Sequence, residues 1–567
     1  METITTENLG VSIIVSKCMF LLSSQQIFLF VFLAWVAMAL LYWAYPGGPA
    51  WGMFYIKARC GKGYKTIPGP RGAPVIGSMS LMAGLAHRKL AAVAQGKGAK
   101  RLMAFSLGET RVIVTCNPHV AKEILNSSAF ADRPVKESAY GLMFDRAMGF
   151  APYGVYWRTL RKIADNHLFS QRQIRASETP RREISDQMVS AIANFDGGEF
   201  RVRDILKLAS LNSMMCLVFG RKYDEVEELI ELVQEGYGIL AQLNLSDHLP
   251  WLANFDVQKI RRRCTALVPK VNRLVSRIIW EHRARKFSGE ESHDLVDVLL
   301  SLNAPHKLSN SDMVSFLWEM IFRGTDTVAV LIEWILARLV LHREIQTKLQ
   351  EELDGVVGKL GTVTESDVAS LPYLHAVVKE VLRLHPPGPL LSWARLAVSD
   401  TTVDGYHVPA GTTAMVNMWA ITRDPDIWAD PLRFMPDRFV KTTTEEVSVM
   451  GSDLRLAPFG SGRRSCPGKT LGLTTVVFWV ASLLQEFDWG GSDEKPVDLS
   501  EVLNLSCEMA KPLTVKALPR RRTIHKSSEL SSWQLWSMYN DKICMWLYIK
   551  SVCIHTHTYY IYIYGKC

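Results

Sequence analysis

Apolar positions along the chain fall into two long runs and many shorter periodic ones. From Cys18 to Ile56 there is no Asp, Glu, Lys, Arg or His. The stretch from Ile27 to Tyr45 is almost purely aliphatic and aromatic, and as a helix it is long enough to cross a bilayer. Trp43 and Tyr45 suit the membrane interface at its end. A cleaved signal peptide fits less well, because Glu2 and Glu7 precede a single Lys17 and no small-x-small cleavage site follows. The second run, Met313 to His342, is apolar on nearly all sides and predicts a central buried helix. Elsewhere helical periods dominate, and strand-like runs are short, at 101–116 and 414–420. The pattern predicts a mainly helical body with a minor sheet. No period of about 20–50 residues repeats, which excludes solenoids and propellers.

The flanks of the first run set its orientation. Lys57, Arg59, Lys62, Lys65 and Arg71 all precede the next acid, Glu109. This asymmetry predicts a short lumenal N-terminus and a cytosolic body. Residues 1–56 therefore read as lumenal N-terminus and transmembrane signal-anchor, and 57–74 as a basic linker with a stiff proline-rich hinge. Residues 75–520 read as one large domain, and 521–567 as an anomalous tail. In that tail, His-Thr-His-Thr at 555–558 and alternating Tyr and Ile at 560–564 are what CA and TA dinucleotide repeats encode. Residues from about 524 on thus read as translated non-coding sequence, such as a retained intron, with an aromatic tail packing on the membrane as the alternative. Cys544, Cys553, His555 and His557 then imitate a metal site without forming one.

The net charge of +9 favours an acidic partner or an anionic membrane face. Nucleic acid is disfavoured, because the basic residues are not clustered beside stacking aromatics. Ten cysteines without a CxxC pair argue for a reducing compartment and against a disulfide framework. The sequons at Asn126, Asn244 and Asn504 would then face the cytosol and stay unmodified.

One of those cysteines is set apart. Residues 457–470 read APFGSGRRSCPGKT, with Phe459, Gly462, Arg464, Cys466, Pro467 and Gly468 in close order. Glycines let the backbone turn amide N–H groups toward a sulfur. Pro467 suits the first position of the helix that the following apolar run predicts. Cys466 would then sit at a helix N-terminus beside Arg464 and Lys469, an environment expected to favour thiolate. A lone thiolate held by amides suits an axial haem ligand. A phosphate loop fails on spacing, since five residues separate Gly462 from Gly468. A buried structural cysteine leaves the surrounding Phe, glycines and arginines without a reason.

Three other groupings are visible in local spacing. Gly324-Thr325-Asp326-Thr327 interrupts the central run, and Thr hydroxyls there can bond back to earlier carbonyls and distort the helix. In that reading Asp326 pairs with Arg323, and Glu319 with Arg323 is also well spaced. Glu380 and Arg383 share one helix face, as do Trp157 and Arg161.

The phrase around Cys466 resembles the cytochrome P-450 superfamily, the haem-thiolate monooxygenases, and the resemblance covers residues 27–520. It implies a mainly α fold with a minor β-sheet, a single catalytic domain behind one transmembrane helix, and haem b. Cys466 would be the axial iron ligand, with Phe459, Gly462 and Arg464 shaping its loop. Thr327 would handle dioxygen and Asp326 would feed protons. Glu380, Arg383 and Arg438 would lock the haem-loop region, with Asp437 where many relatives carry Glu. Trp157, Arg161 and Arg464, with Arg395 held more loosely, would meet the haem propionates. Arg323 stands where the superfamily usually has a small residue.

"GFAPYGVYWRTLRKI" and "FRGTDTVAVLIEW" resemble the plant KLUH and plastochron type, which makes Arg323 a family trait. That family is associated with organ growth and cell proliferation, with fatty-acid hydroxylation as its suspected activity. No nucleotide-binding glycine loop is apparent, so electrons must come from outside. The resemblance implies NADPH–cytochrome reductase on the endoplasmic reticulum membrane, docking on Arg158, Lys162 and Lys469. Leu142, Met143, Phe144 and Phe150, and the segment 505–513, suit an apolar substrate and suit core packing equally well. Two alternatives also use Cys466: a dioxygen-independent peroxide-rearranging enzyme and a non-catalytic haem-binding protein.

Overall fold

The computed structural model describes residues 24–58, 64–223, 226–287, 294–391, 394–440 and 447–520. The anomalous tail, with Cys544, Cys553, His555 and His557, lies outside the described residues. The chain forms two compact units that alternate along the sequence. One comprises Met1–Phe130, Leu245–Phe255 and Ala394–Val416; the other comprises Ala131–Asn244, Asp256–Trp393 and Asn417–Cys567.

In the first unit the N-terminal apolar run forms a helix over Ser24–Trp43, and its Gln26–Trp43 window is long and apolar enough to cross a membrane. The uncharged stretch does not continue as one helix to residue 56. Gly47 and Gly48 adopt φ of +85° and +82°, which side chains resist, and the chain turns there. A second helix, Pro49–Ala58, follows. Its Trp51 is fully buried, and the indole N–H donates to the carbonyls of Phe105 (3.2 Å) and Val112 (3.1 Å). The end of this helix is tied to the proline-rich segment, since Trp43 Nε1 donates to the Gly72 carbonyl at 2.7 Å.

The sheet of this unit orders Met103–Leu107, Thr110–Thr115, Thr413–Val416 and Arg395–Leu396. The first pair is an antiparallel hairpin, and the second and third strands run parallel. The strand expected over 414–420 ends at Val416. Asn417 then accepts the Ala420 N–H at 3.1 Å and opens a short helix, Met418–Ile421.

The second unit is dominated by helices. The central run is realised as two successive helices, Asn310–Gly324 and Asp326–Leu341. Ser309 caps the first by accepting the Asp312 N–H at 3.1 Å. Residues 313–322 and 329–337 are all buried, as an all-round apolar pattern requires. The interruption falls at Thr325, whose hydroxyl donates back to the Ile321 carbonyl at 2.7 Å. Packed against this axis are Val202–Phe219, Pro372–Leu384 and Lys469–Glu486. A small sheet sets Thr514–Pro519 between Glu199–Arg201 and Phe487–Gly491, and a hairpin joins Glu501–Leu503 to Cys507–Met509.

Candidate functional site

The loop before Lys469–Glu486 is folded by its glycines. Gly460 and Gly462 both have φ of +68°, a conformation that favours glycine. The turns they make return Cys466 to Phe459, whose carbonyl accepts the Cys466 N–H at 2.9 Å. The helix begins at Lys469 with Gly468 as its N-cap, two residues beyond the start expected from Pro467.

The expectation that these surroundings alone favour thiolate needs correcting. Burial pushes the Cys466 thiol pKa up, and the Gly468 amide and the charges of Arg161, Arg323 and Lys469 only partly oppose it. Among the described residues, Cys466 joins no multi-residue cluster of metal-ligating side chains. A metal that brings its other ligands with it, as haem iron does, suits this single sulfur.

Helix Val155–His167 supplies the neighbouring cations. Arg161 donates from Nη1 to the Ser465 carbonyl at 2.7 Å and from Nε to Asp165 at 2.8 Å. Arg464 lies over the Trp157 ring at 4.4 Å. It donates to the carbonyls of Ala131 (3.0 Å), Met148 (3.2 Å) and Ala151 (2.7 Å), and pairs with Asp132 at 3.3 Å. Burial lowers its pKa to about 10, with the Asp132 carboxylate opposing. Trp157 Nε1 also donates to the Met148 carbonyl, at 2.9 Å. Trp157, Arg161 and Arg464 are thus brought together beside Cys466, with these donors on main-chain carbonyls and carboxylates. Arg395 is buried in its strand of the first unit.

Glu380, Arg383 and Arg438 converge as the spacing suggests. Arg383 grips Glu380 with two bonds of 2.7 and 2.8 Å, and Arg438 Nε reaches the same carboxylate at 3.2 Å. Met435 N–H donates to it as well, at 2.9 Å. Arg383 also caps the carbonyls of Thr422 and Pro431. This cluster pins helix Pro372–Leu384 to the segment 422–438.

The central helix departs from one expectation. Arg323 turns to Glu319 (2.9 Å), while Asp326 pairs with Lys207 at 3.3 Å. Lys207 reaches Glu508 at 3.4 Å, and Arg203 bridges Glu508 (3.4 Å) and Glu333 (2.8 Å). Local spacing held no sign of Lys207 or Glu508, since both lie far from Asp326 in sequence. Thr327 is exposed although most of its helix is buried. Leu142, Phe144 and Phe150 are core residues, and Phe144 meets Phe322 at 5.1 Å between ring centroids. Arg158 and Lys162 are exposed one turn apart, whereas Lys469 donates to the Met450 carbonyl at 2.9 Å.

Comparison with known proteins matches residues 67–513 to the family described as Cytochrome P450. The chain belongs to the cytochrome P450 family. It is therefore a haem-thiolate monooxygenase by family, and its residues fit haem b bound through a cysteine. The P450 is 64% identical to Cytochrome P450 78A6 of Arabidopsis thaliana over 90% of this chain and 98% of the relative. It is 62% identical to Cytochrome P450 78A3 of Glycine max over 91% and 99%. Flavonoid 3'-monooxygenase of Arabidopsis thaliana is 35% identical over 80% and 91%. These matches place the chain among the plant 78A proteins, the KLUH and plastochron type.

Proposed function

We propose that this P450 hydroxylates an apolar small molecule, a fatty acid or related lipid, using dioxygen and electrons from NADPH–cytochrome reductase. The reaction would take place at the endoplasmic reticulum membrane with the catalytic body in the cytosol, and its products would act in plant organ growth and cell proliferation. The observation that carries the enzymatic part is the convergence of Cys466, Arg161, Arg464 and Trp157 on one loop. Haem held by Cys466 would supply thiolate electron density that favours O–O cleavage. Arg161, Arg464 and Trp157 would orient its propionates, and Phe459 and Gly462 would shape the sulfur's surroundings.

Thr327 offers an exposed hydroxyl on the central helix, able to accept and pass on a proton at Oγ1. Asp326 beside it holds a carboxylate at its ion pair with Lys207, whose side chain is 30% exposed. In this reading Asp326 would feed protons to the site and Thr327 would hand them on. Glu380, Arg383 and Arg438 would keep the loop folded and take no part in the reaction. Arg158 and Lys162 would present a cationic face to the acidic surface of a reductase, with Lys469 at the start of the separate helix Lys469–Glu486.

The test is a carbon monoxide difference spectrum of the reduced, detergent-solubilised chain lacking residues 524–567. A red-shifted Soret band is expected, absent in Cys466→Ala. Retention of that band in Cys466→Ala would overturn the assignment. Screening of long-chain fatty acids with reductase and NADPH then tests the substrate class. Turnover without NADPH would instead mark a peroxide-rearranging enzyme, and haem binding without turnover a non-catalytic protein.

A further inference from the structure

Arg323 is a cation one helical turn ahead of Thr327, and its surroundings give it a purpose. Its Nε donates to Glu319 Oε1 at 2.9 Å. The Glu319 side chain is 0% exposed, and the same oxygen accepts the Gly149 N–H at 2.8 Å. Burial pushes the Glu319 carboxyl pKa up, while Arg323 and the Gly149 amide hold it down. Gly149 is matched to the pair. A Cβ there would lie 2.0 Å from Arg323 Nη2 and 2.2 Å from Glu319 Oε1.

The other side of the same peptide unit is also held. The Met148 carbonyl accepts from Trp157 Nε1 at 2.9 Å and from Arg464 Nη1 at 3.2 Å. One peptide plane is thus gripped at its N–H by the helix preceding Thr327. At its carbonyl it is gripped by Trp157 and by the arginine two residues before Cys466. A buried ion pair adds little net stability over an apolar pair of similar volume. What this one adds is a fixed acceptor for a main-chain N–H.

We propose that Glu319, held in place by Arg323, is a positioning residue that fixes the Met148–Gly149 peptide and so keeps the Cys466 loop in register with the turn carrying Thr327. The proposal rests on the haem-thiolate reading above. Loosening the peptide shifts one acceptor of Arg464 and the acceptor of the Trp157 indole without touching Cys466. The thiolate bond and the coupling of electrons to product then suffer before the fold does.

The experiment compares the full chain with the paired variants Glu319→Leu/Arg323→Leu and Glu319→Gln/Arg323→Leu. Both remove the charges together, so neither leaves a buried ion unpaired. Only the second keeps an acceptor for the Gly149 N–H. Gly149→Ala, which collides with the intact pair, is the independent variant. Haem content, thermal midpoint and the fraction of ferrous carbon monoxide complex lacking the thiolate band are measured. So is peroxide released per NADPH, with dodecanoic acid as the probe.

At equal haem content, the Leu/Leu variant and Gly149→Ala should raise the non-thiolate fraction and the peroxide yield by about threefold or more. The Gln/Leu variant should return both toward the unmodified chain. Wild-type ratios in the Leu/Leu holoenzyme, or a Gln/Leu variant no better than Leu/Leu, would overturn the proposal. If the Leu/Leu chain does not fold, wild-type ratios in Gly149→Ala overturn it instead. Absence of a thiolate band in the unmodified chain would overturn the haem reading together with this inference.

Discussion

At the scale of residues, the chemistry rests on side chains whose surroundings pull against each other. Cys466 is driven toward the neutral thiol by burial and toward thiolate by nearby cations, and burial prevails in the polypeptide alone. Asp326, buried on the central helix, is paired with Lys207. Thr327 is expected to matter through its hydroxyl alone. Thr327→Ala should keep haem and the thiolate band while product per NADPH falls by about tenfold or more, the lost electrons appearing as peroxide. Unchanged product per NADPH would remove Thr327 from dioxygen handling. Of the pairs read in advance at three or four positions, Glu319 with Arg323 and Glu380 with Arg383 form, whereas Asp326 pairs with Lys207 and not with Arg323. Such spacing fixes a shared face whatever the rest of the chain does. Lys207, Glu508, Met148 and Gly149 were not legible, because tertiary packing alone sets them opposite their partners.

At the scale of elements, the helices formed where the apolar pattern placed them, and their ends moved. The central run broke at Thr325, where a hydroxyl competes for a backbone carbonyl, and the helix after Cys466 started at Lys469 with Gly468 as cap. Ends are set by single hydrogen bonds, and periodicity does not report those. Between elements, one tie is the carboxylate of Glu380, held by Arg383, Arg438 and the Met435 amide. Arg383→Ala would take the two closest donors from that buried carboxylate, leaving it Arg438 and the Met435 amide, and would leave the Thr422 and Pro431 carbonyls without the Arg383 donor. The cost expected for breaking one side of a buried pair is about 3–5 kcal/mol. Purified Arg383→Ala should therefore be haem-poor, with a lowered thermal midpoint. Wild-type haem content and midpoint would show that the cluster does not hold the loop region.

At the scale of the whole molecule, the excess of nine positive charges is spread thinly, yet Arg158 and Lys162 are exposed one turn apart on the helix that also carries Arg161. If this is where a reductase docks, its rate of reducing the P450 must depend on ionic strength. Raising salt from about 0.05 to 0.2 M, which shortens the screening length, should slow it. Lys162→Glu should slow it at low salt and flatten the salt dependence. An unchanged slope would move the docking surface elsewhere. The fold class was readable from the all-round apolar central run and the short strands. The division into two units that alternate along the sequence was not, because it depends on which distant segments share a sheet.

The helix Pro49–Ala58 decides where a shortened, anchor-free form of this protein has to begin. Charge counting alone would place the cut at the first lysine, after Ile56. That cut would discard Trp51, whose indole bridges the Phe105 and Val112 carbonyls. It would also discard Tyr55, whose hydroxyl receives the Ile67 N–H at 3.0 Å. The hairpin would lose its lid and the proline hinge its tether. A start in the Tyr45–Gly48 turn removes the apolar helix Ser24–Trp43, and with it the Trp43 bond to Gly72, and keeps Trp51 and Tyr55 in place.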